Sequence, residues 1–153
     1  MRPGTDADGQ DDGIQVDGLA ADTGEWMLAA GRGTYRVLVV DDVAELRLLV
    51  RMLLEGETAI ELLEAADGAA AIAAIDAGHV DLVVMDMYMP GMDGLTTAQA
   101  ILAREAPPEL VAFTSSIDGR LSEAFMGAGA SAHFDKGEMS ALIAYIKAAG
   151  RHG

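Results

Sequence analysis

The stretch Val80–Gly94 reads VDLVVMDMYMPGMDG. Its first part, Val80–Met85, is a short apolar and largely β-branched run interrupted only by Asp81, a pattern that suits a strand buried on both faces. The run ends on Asp86. Pro90-Gly91 and Asp93-Gly94 follow within eight residues, so the chain leaves the sheet through a tight loop before the next helix. An acidic side chain therefore stands at a strand's carboxyl end, the edge where ligands and chemistry collect in open parallel sheets. Asp also caps turns, and this stretch alone leaves both readings open.

Working outward, the same unit recurs. Arg36–Val40 reads as a buried strand that ends on the pair Asp41-Asp42, and Glu45–Leu54 carries Leu46, Leu49, Val50, Leu53 and Leu54 on one broad helical face. Gly56 stops that helix. Ala59–Glu64 reads as a second strand, Asp67-Gly68 as a turn, and the alanine-rich Ala69–Ala77 as a second helix closed by Gly78. Beyond Gly94, Leu95–Glu105 forms a third helix before Pro107-Pro108, and Leu110–Phe113 a fourth strand that ends on Thr114. Asp118–Ala128 gives a fourth helix, Ser131–Phe134 a fifth strand followed by Lys136, and Met139–Ala149 a fifth helix with Leu142, Ile143 and Ile146 at helical spacing. Strands alternating with helices predict an α/β domain, a five-stranded parallel sheet with helices on both faces.

The chain of 153 residues, 51% of them hydrophobic, is long enough for one domain with a real core. Residues 34–150 are expected to form it. Met1–Gly33, rich in Gly and Asp, reads as a disordered tail in which only Trp26-Met27-Leu28 could bury much apolar area. Residues 151–153 form a short C-terminal tail. The absence of cysteine excludes disulfides and thiolate zinc sites and makes a cytoplasmic location the expectation. A net charge of −15, with ten scattered Lys and Arg, argues against direct nucleic-acid binding. No apolar run approaches the roughly 20 residues that span a bilayer, so no membrane partner is expected.

Right-handed crossovers place every strand's carboxyl end at one edge, which gathers Asp41, Asp42, Asp86, Thr114 and Lys136. Three carboxylates would repel one another there unless a hard divalent cation joined them, and magnesium is the natural candidate. A carboxylate beside magnesium, with a lysine and a hydroxyl, is a set of parts for accepting a phosphoryl group. Taken singly, Asp41 or Asp42 could cap a helix, Thr114 could be a strand-end hydroxyl and Lys136 a solvated turn charge.

The acidic pair after the first strand, Asp86 in DMYMPGMDG, Thr114 after the fourth strand and Lys136 after GASAHFD together resemble a two-component response-regulator receiver domain over about Tyr35–Ala149. The resemblance implies a flavodoxin-like, doubly wound fold. It makes Asp86 the phosphoacceptor, Asp42 a direct Mg2+ ligand, Asp41 a ligand through water, and the Tyr88 backbone carbonyl a further ligand. Lys136 would pair with a phosphoryl oxygen, and Thr114 would bond another and sense phosphorylation. The donor would be a histidine kinase or histidine phosphotransfer protein. The downstream partner would be a protein bound through the surface of helix four, strand five and helix five.

The sequence departs from the family pattern at three places. His133 stands where the family often has an aromatic switch ring three residues before the lysine, so its protonation would bias the switch near neutral pH. Phe134, one place later, points to the other side of the strand by period-two alternation and belongs to the core. Gly137 replaces a common proline, and Tyr88 occupies a position that in this family helps set phosphate lifetime. Only Gly150–Gly153 follow the last helix, which gives the expectation of a stand-alone receiver that is not an enzyme beyond its own phosphorylation and dephosphorylation. The alternatives are a phosphate shuttle or sink in a relay, a pseudo-receiver interaction module, and an aspartyl-phosphate-type phosphatase. The last would want a second Asp where this chain has Tyr88.

Overall fold

The short apolar runs pair into one parallel sheet because the ladder satisfies their backbone polar groups while helices cover their apolar side chains. In the computed structural model, which describes residues 33–89, 92–115 and 119–152, β1 spans Tyr35–Val40, β2 Ile60–Ala65, β3 Leu82–Met85, β4 Glu109–Thr114 and β5 Ala132–Asp135. Each strand is followed by a helix: α1 (Ala44–Leu53), α2 (Gly68–Ala77), α3 (Gly94–Leu102), α4 (Gly119–Ala128) and α5 (Met139–His152). The strand order is β2-β1-β3-β4-β5, parallel throughout. This is the flavodoxin-like doubly wound arrangement, whose order reverses between β1 and β3 and opens a crevice at the carboxyl edge there. The expected tail and its Trp26-Met27-Leu28 patch lie outside the described residues.

Strand alternation sorts the core into two layers. Leu38, Val40, Val83, Met85, Leu110 and Ala112 face α2, α3 and α4, where Ala71, Ala98, Ile101 and Phe125 meet them. Val37, Val39, Leu82, Val84, Val111 and Phe113 face the other way, onto Val50 and Leu54 beside α1 and onto Leu142, Ile143 and Ile146 of α5. All four residues of β3 are buried, as a central strand covered on both faces requires. No described helix is long and apolar enough to cross a membrane.

Two local readings are corrected and a third is given its detail. The apolar face of α1 is narrower than its periodicity predicts: Leu46, Val50 and Leu54 pack inward, whereas Leu49 and Leu53 are each 42% exposed. The neighbouring α5 does not close over that flank, because a groove of about 290 Å3 lined by Leu53, Ser140, Ile143, Ala144 and Lys147 runs between them. The tight loop expected after Asp86 is built on a short antiparallel pairing of Tyr88–Met89 with Met92–Asp93. Finally, α5 does not stop at Ala149 but continues to His152, so residues 151 and 152 are helix rather than tail.

The extension runs through Gly150 because the helix comes very close to the sheet there. A Cβ on Gly150 would lie 2.9 Å from Ile60 Cγ1 and 3.0 Å from Ile60 Cδ1. Alanine is favoured over glycine in helices by about 1 kcal/mol, but the overpacking opposes it. Gly150→Ala is expected to destabilise the parent by about 1–2 kcal/mol in urea unfolding. In an Ile60→Ala background the same change is expected to become neutral or stabilising.

Candidate functional site

Register alone brings the two central acidic residues together. Val40 of β1 sits opposite Met85 of β3, so the residues that follow, Asp41 and Asp86, leave the sheet side by side. The Asp86 N–H still donates to the Val40 carbonyl at 3.0 Å, and the Asp41 N–H to the Ala65 carbonyl at 3.0 Å. Thr114 closes β4 opposite Asp135 of β5, which sets Lys136 one residue past that edge. One ligand oxygen from each of Asp41, Asp42 and Asp86 falls within 4.8 Å of the others. Asp41 and Asp86 are 1% and 5% exposed, Thr114 is fully buried, and Asp42 is exposed.

Each buried carboxylate is fixed by backbone on one oxygen and by Lys136 on the other. Asp41 Oδ1 accepts from the Val43 N–H at 2.9 Å and Asp86 Oδ1 from the Tyr88 N–H at 3.1 Å. The Lys136 ammonium lies 2.8 Å from Asp41 Oδ2 and 3.2 Å from Asp86 Oδ2. Burial pushes the Asp86 carboxyl above the ordinary aspartate range; the Tyr88 N–H and the Lys136 charge pull it down, and the charge of Asp41 pushes it up again. Burial also works against the Lys136 charge, but the hydrogen bond and charge of Asp41, then those of Asp86, outweigh it and hold the ammonium above the ordinary lysine value.

The donor set is entirely oxygen, and the single ammonium offsets only one of three clustered carboxylates. That combination fits a hard divalent cation such as Mg2+. Beside the cluster lies a cavity of about 570 Å3 lined by Asp42, Met87, Tyr88, Met89, Asp93, Gly94 and Leu121. Tyr88 is 44% exposed on its wall. Asp93 caps α3 by accepting from the Leu95 N–H at 3.0 Å. Gly94 permits the helix to approach the acidic loop, because a Cβ there would sit 2.7 Å from the Met87 carbonyl and 3.1 Å from that of Asp86.

His133 and Phe134 take opposite faces. The His133 Nδ1 lies 3.2 Å from Ser122 Oγ on α4, and its Nε2 is buried without a hydrogen-bond partner among the described residues. Phe134 packs with the α1 and α5 layer and meets Tyr145 edge-on at 5.5 Å.

Sequence reasoning missed the device that presents Lys136. Asp135 and Glu138 form a capping box around a short 3-10 turn, Lys136–Glu138: the Gly137 N–H donates to Asp135 Oδ1 at 2.7 Å and the Asp135 N–H to Glu138 Oε1 at 2.8 Å. The D-K-G-E spacing was the available signal. A proline at residue 137 would have no N–H to give to this cap.

A doubly wound sheet with an acidic cluster and a lysine at its β1/β3 switch point defines a class of site, and comparison with known proteins names it. Residues 37–147 match the response regulator receiver domain, and the chain belongs to that family. Among curated relatives, the protein-glutamate methylesterase/protein-glutamine glutaminase of Azospirillum brasilense is 38% identical over 112 residues, covering 71% of this chain and 28% of that protein. The chain spans only 18% to 36% of the length of the curated relatives it matches. Among solved structures, the signal receiver domain of the response regulator NarL from Mycobacterium tuberculosis superposes with a TM-score of 0.65 at 28% identity, over 74% of this chain and 96% of that one. The CheY-like receiver domain protein of Methanospirillum hungatei JF-1 shares the fold, with a TM-score of 0.71 at 23% identity over 78% and 95% of the two chains.

The raised pKa of Asp86 has a consequence for stability. The folded chain holds that proton more tightly than the unfolded chain, so this carboxylate erodes stability as pH climbs from the ordinary aspartate range through its folded value. In metal-free protein at neutral pH, Asp86→Asn is expected to raise Tm by a few degrees, on the order of 1 kcal/mol. The gain should vanish as pH falls below the ordinary aspartate value of about 4.

Proposed function

We propose that this chain accepts a phosphoryl group on Asp86 from a phosphohistidine donor and signals by changing its affinity for a protein partner. The observation that carries the reading is the placement of Lys136 between two buried carboxylates, 3.2 Å from Asp86 Oδ2, beside the exposed Asp42. A lysine so placed already occupies the position where negative charge would arrive. In the step, a carboxylate oxygen of Asp86 attacks phosphorus, the P–N bond to the donor imidazole breaks, and the imidazole leaves with that electron pair. Lys136 exchanges its contact with Asp86 for one with a phosphoryl oxygen, and the Thr114 hydroxyl donates to another. Asp42, Asp86 and the Tyr88 carbonyl would hold Mg2+, with Asp41 acting through water. The ion would supply charge neutralisation at the transferring group.

Phosphate then shifts a two-state equilibrium, and the partner reads the state it prefers through the surface of α4, β5 and α5. His133 lies on that surface between β5 and Ser122 of α4, which supports a role for its ring in the readout. A histidine kinase or histidine phosphotransfer protein is the donor class, and the chemistry equally serves a relay in which phosphate is passed on.

Incubation with magnesium and a small acyl-phosphate donor is expected to add the mass of one phosphoryl group. The gain should disappear in Asp86→Ala and without magnesium. No gain in the parent would leave an interaction module without phosphorylation, and turnover of unrelated phosphate esters would point to a phosphatase. The Tyr88 ring, on the cavity wall two residues beyond the acceptor, shields an acyl phosphate from water. Tyr88→Ala is expected to lose its phosphate severalfold faster than the parent; equal or slower loss, followed by mass spectrometry over time, would remove that role.

A further inference from the structure

The acidic pair has a support that its own side chains do not supply. Arg47, on the first turns of α1, donates from Nη1 to the Asp41 backbone carbonyl at 2.5 Å and from Nε to Glu64 Oε1 at 2.9 Å. Glu64, the penultimate residue of β2, sits opposite Val39 in the ladder and also receives Arg51, whose Nε lies 2.8 Å from Oε2. Arg47 is 16% exposed and Glu64 29% exposed, so the contact is partly sheltered from water. Glu64 stays ionised readily: burial would raise its pKa, but hydrogen bonds and charges from Arg51 and Arg47 hold it below the ordinary glutamate range.

The carbonyl gripped by Arg47 is half of the peptide unit joining Asp41 to Asp42. Peptide planarity means that fixing this C=O, together with the Asp41 N–H already held by Ala65, fixes the plane that delivers the Cα of Asp42. Asp42 is exposed, so packing does not set its aim; the backbone leading into it must. We infer that Arg47, braced by Glu64, is a positioning residue for the magnesium site, orienting the Asp41–Asp42 peptide so that Asp42 presents its carboxylate to the cation. This rests on the magnesium-dependent reading above. Arginine is suited to the task because its planar fork reaches a carboxylate and a carbonyl at once, which a lysine ammonium cannot reproduce.

The test is magnesium binding to the full, unphosphorylated chain, measured by isothermal titration calorimetry, with Tm as a check on folding. Arg47→Lys and Arg47→Met are both expected to raise the magnesium Kd roughly tenfold, the usual scale for losing a group that orients a ligand. Glu64→Gln, which keeps an acceptor for Nε, should restore most of the affinity relative to Glu64→Ala. A merely structural role would lower Tm in these variants and leave the Kd of the folded protein where it was. Folded Arg47 and Glu64→Ala variants that bind magnesium as the parent does would overturn the inference while leaving the phosphoacceptor reading intact. A parent that binds no magnesium would overturn both. Should Arg47→Met fail to fold, Arg47→Lys and Glu64→Ala still decide the matter, since each removes the braced fork and keeps a charged or native group in place.

Discussion

The contact on which the rest of this molecule depends is the Lys136 ammonium between Asp41 and Asp86, at 2.8 Å and 3.2 Å. Its partners are almost wholly buried, and buried ion pairs of this kind contribute little net stability, because desolvation consumes much of the Coulombic gain. The sheet is what makes such an arrangement tolerable. Pairing of β1 with β3 and of β4 with β5 delivers the three residues from strands already committed by apolar burial. The surrounding core thus holds together charges that would separate if left to themselves, and Asp86 shows the conflict in its raised pKa. Local rules are broken at this edge and obeyed nearly everywhere else, as is common where a fold carries chemistry.

The architecture was legible because strand ends and turns were punctuated clearly. Val80–Met85 is apolar enough to be central, Asp86 follows it directly, and Pro and Gly then forbid its continuation. The same grammar placed Asp41, Asp42, Thr114 and Lys136 at one edge, and the structure brings the three carboxylates and the lysine into contact range. Alternation also separated His133 from Phe134 correctly, since the one meets Ser122 of α4 and the other Tyr145 of α5.

What could not be read depended on neighbours rather than on the segment itself. Periodicity in α1 identifies an apolar stripe, but the width that is buried depends on how closely α5 approaches, and the groove beside Ile143 leaves Leu53 in solvent. The last helix is expected to end at Ala149, yet Gly150 continues it as a contact point, set by Ile60 across ninety residues of chain. Nothing in the helical pattern of α1 singles out Arg47. Its target is a backbone carbonyl, and side chain to main chain bonds between distant segments leave no periodic trace in a sequence.

The polar contacts of the site divide between the main chain, which sets its geometry, and one side chain, which balances its charge. Asp41 and Asp86 each commit one oxygen to a backbone N–H of the following turn, from Val43 and Tyr88, and share the Lys136 ammonium through the other. The backbone bonds hold each carboxylate independently of Lys136, and the capping box of Asp135 and Glu138 fixes the backbone from which Lys136 extends. A site whose carboxylates were positioned by the lysine alone would lose its geometry with any change in the charge balance; here the geometry belongs to the main chain, and the charge balance is left to one side chain.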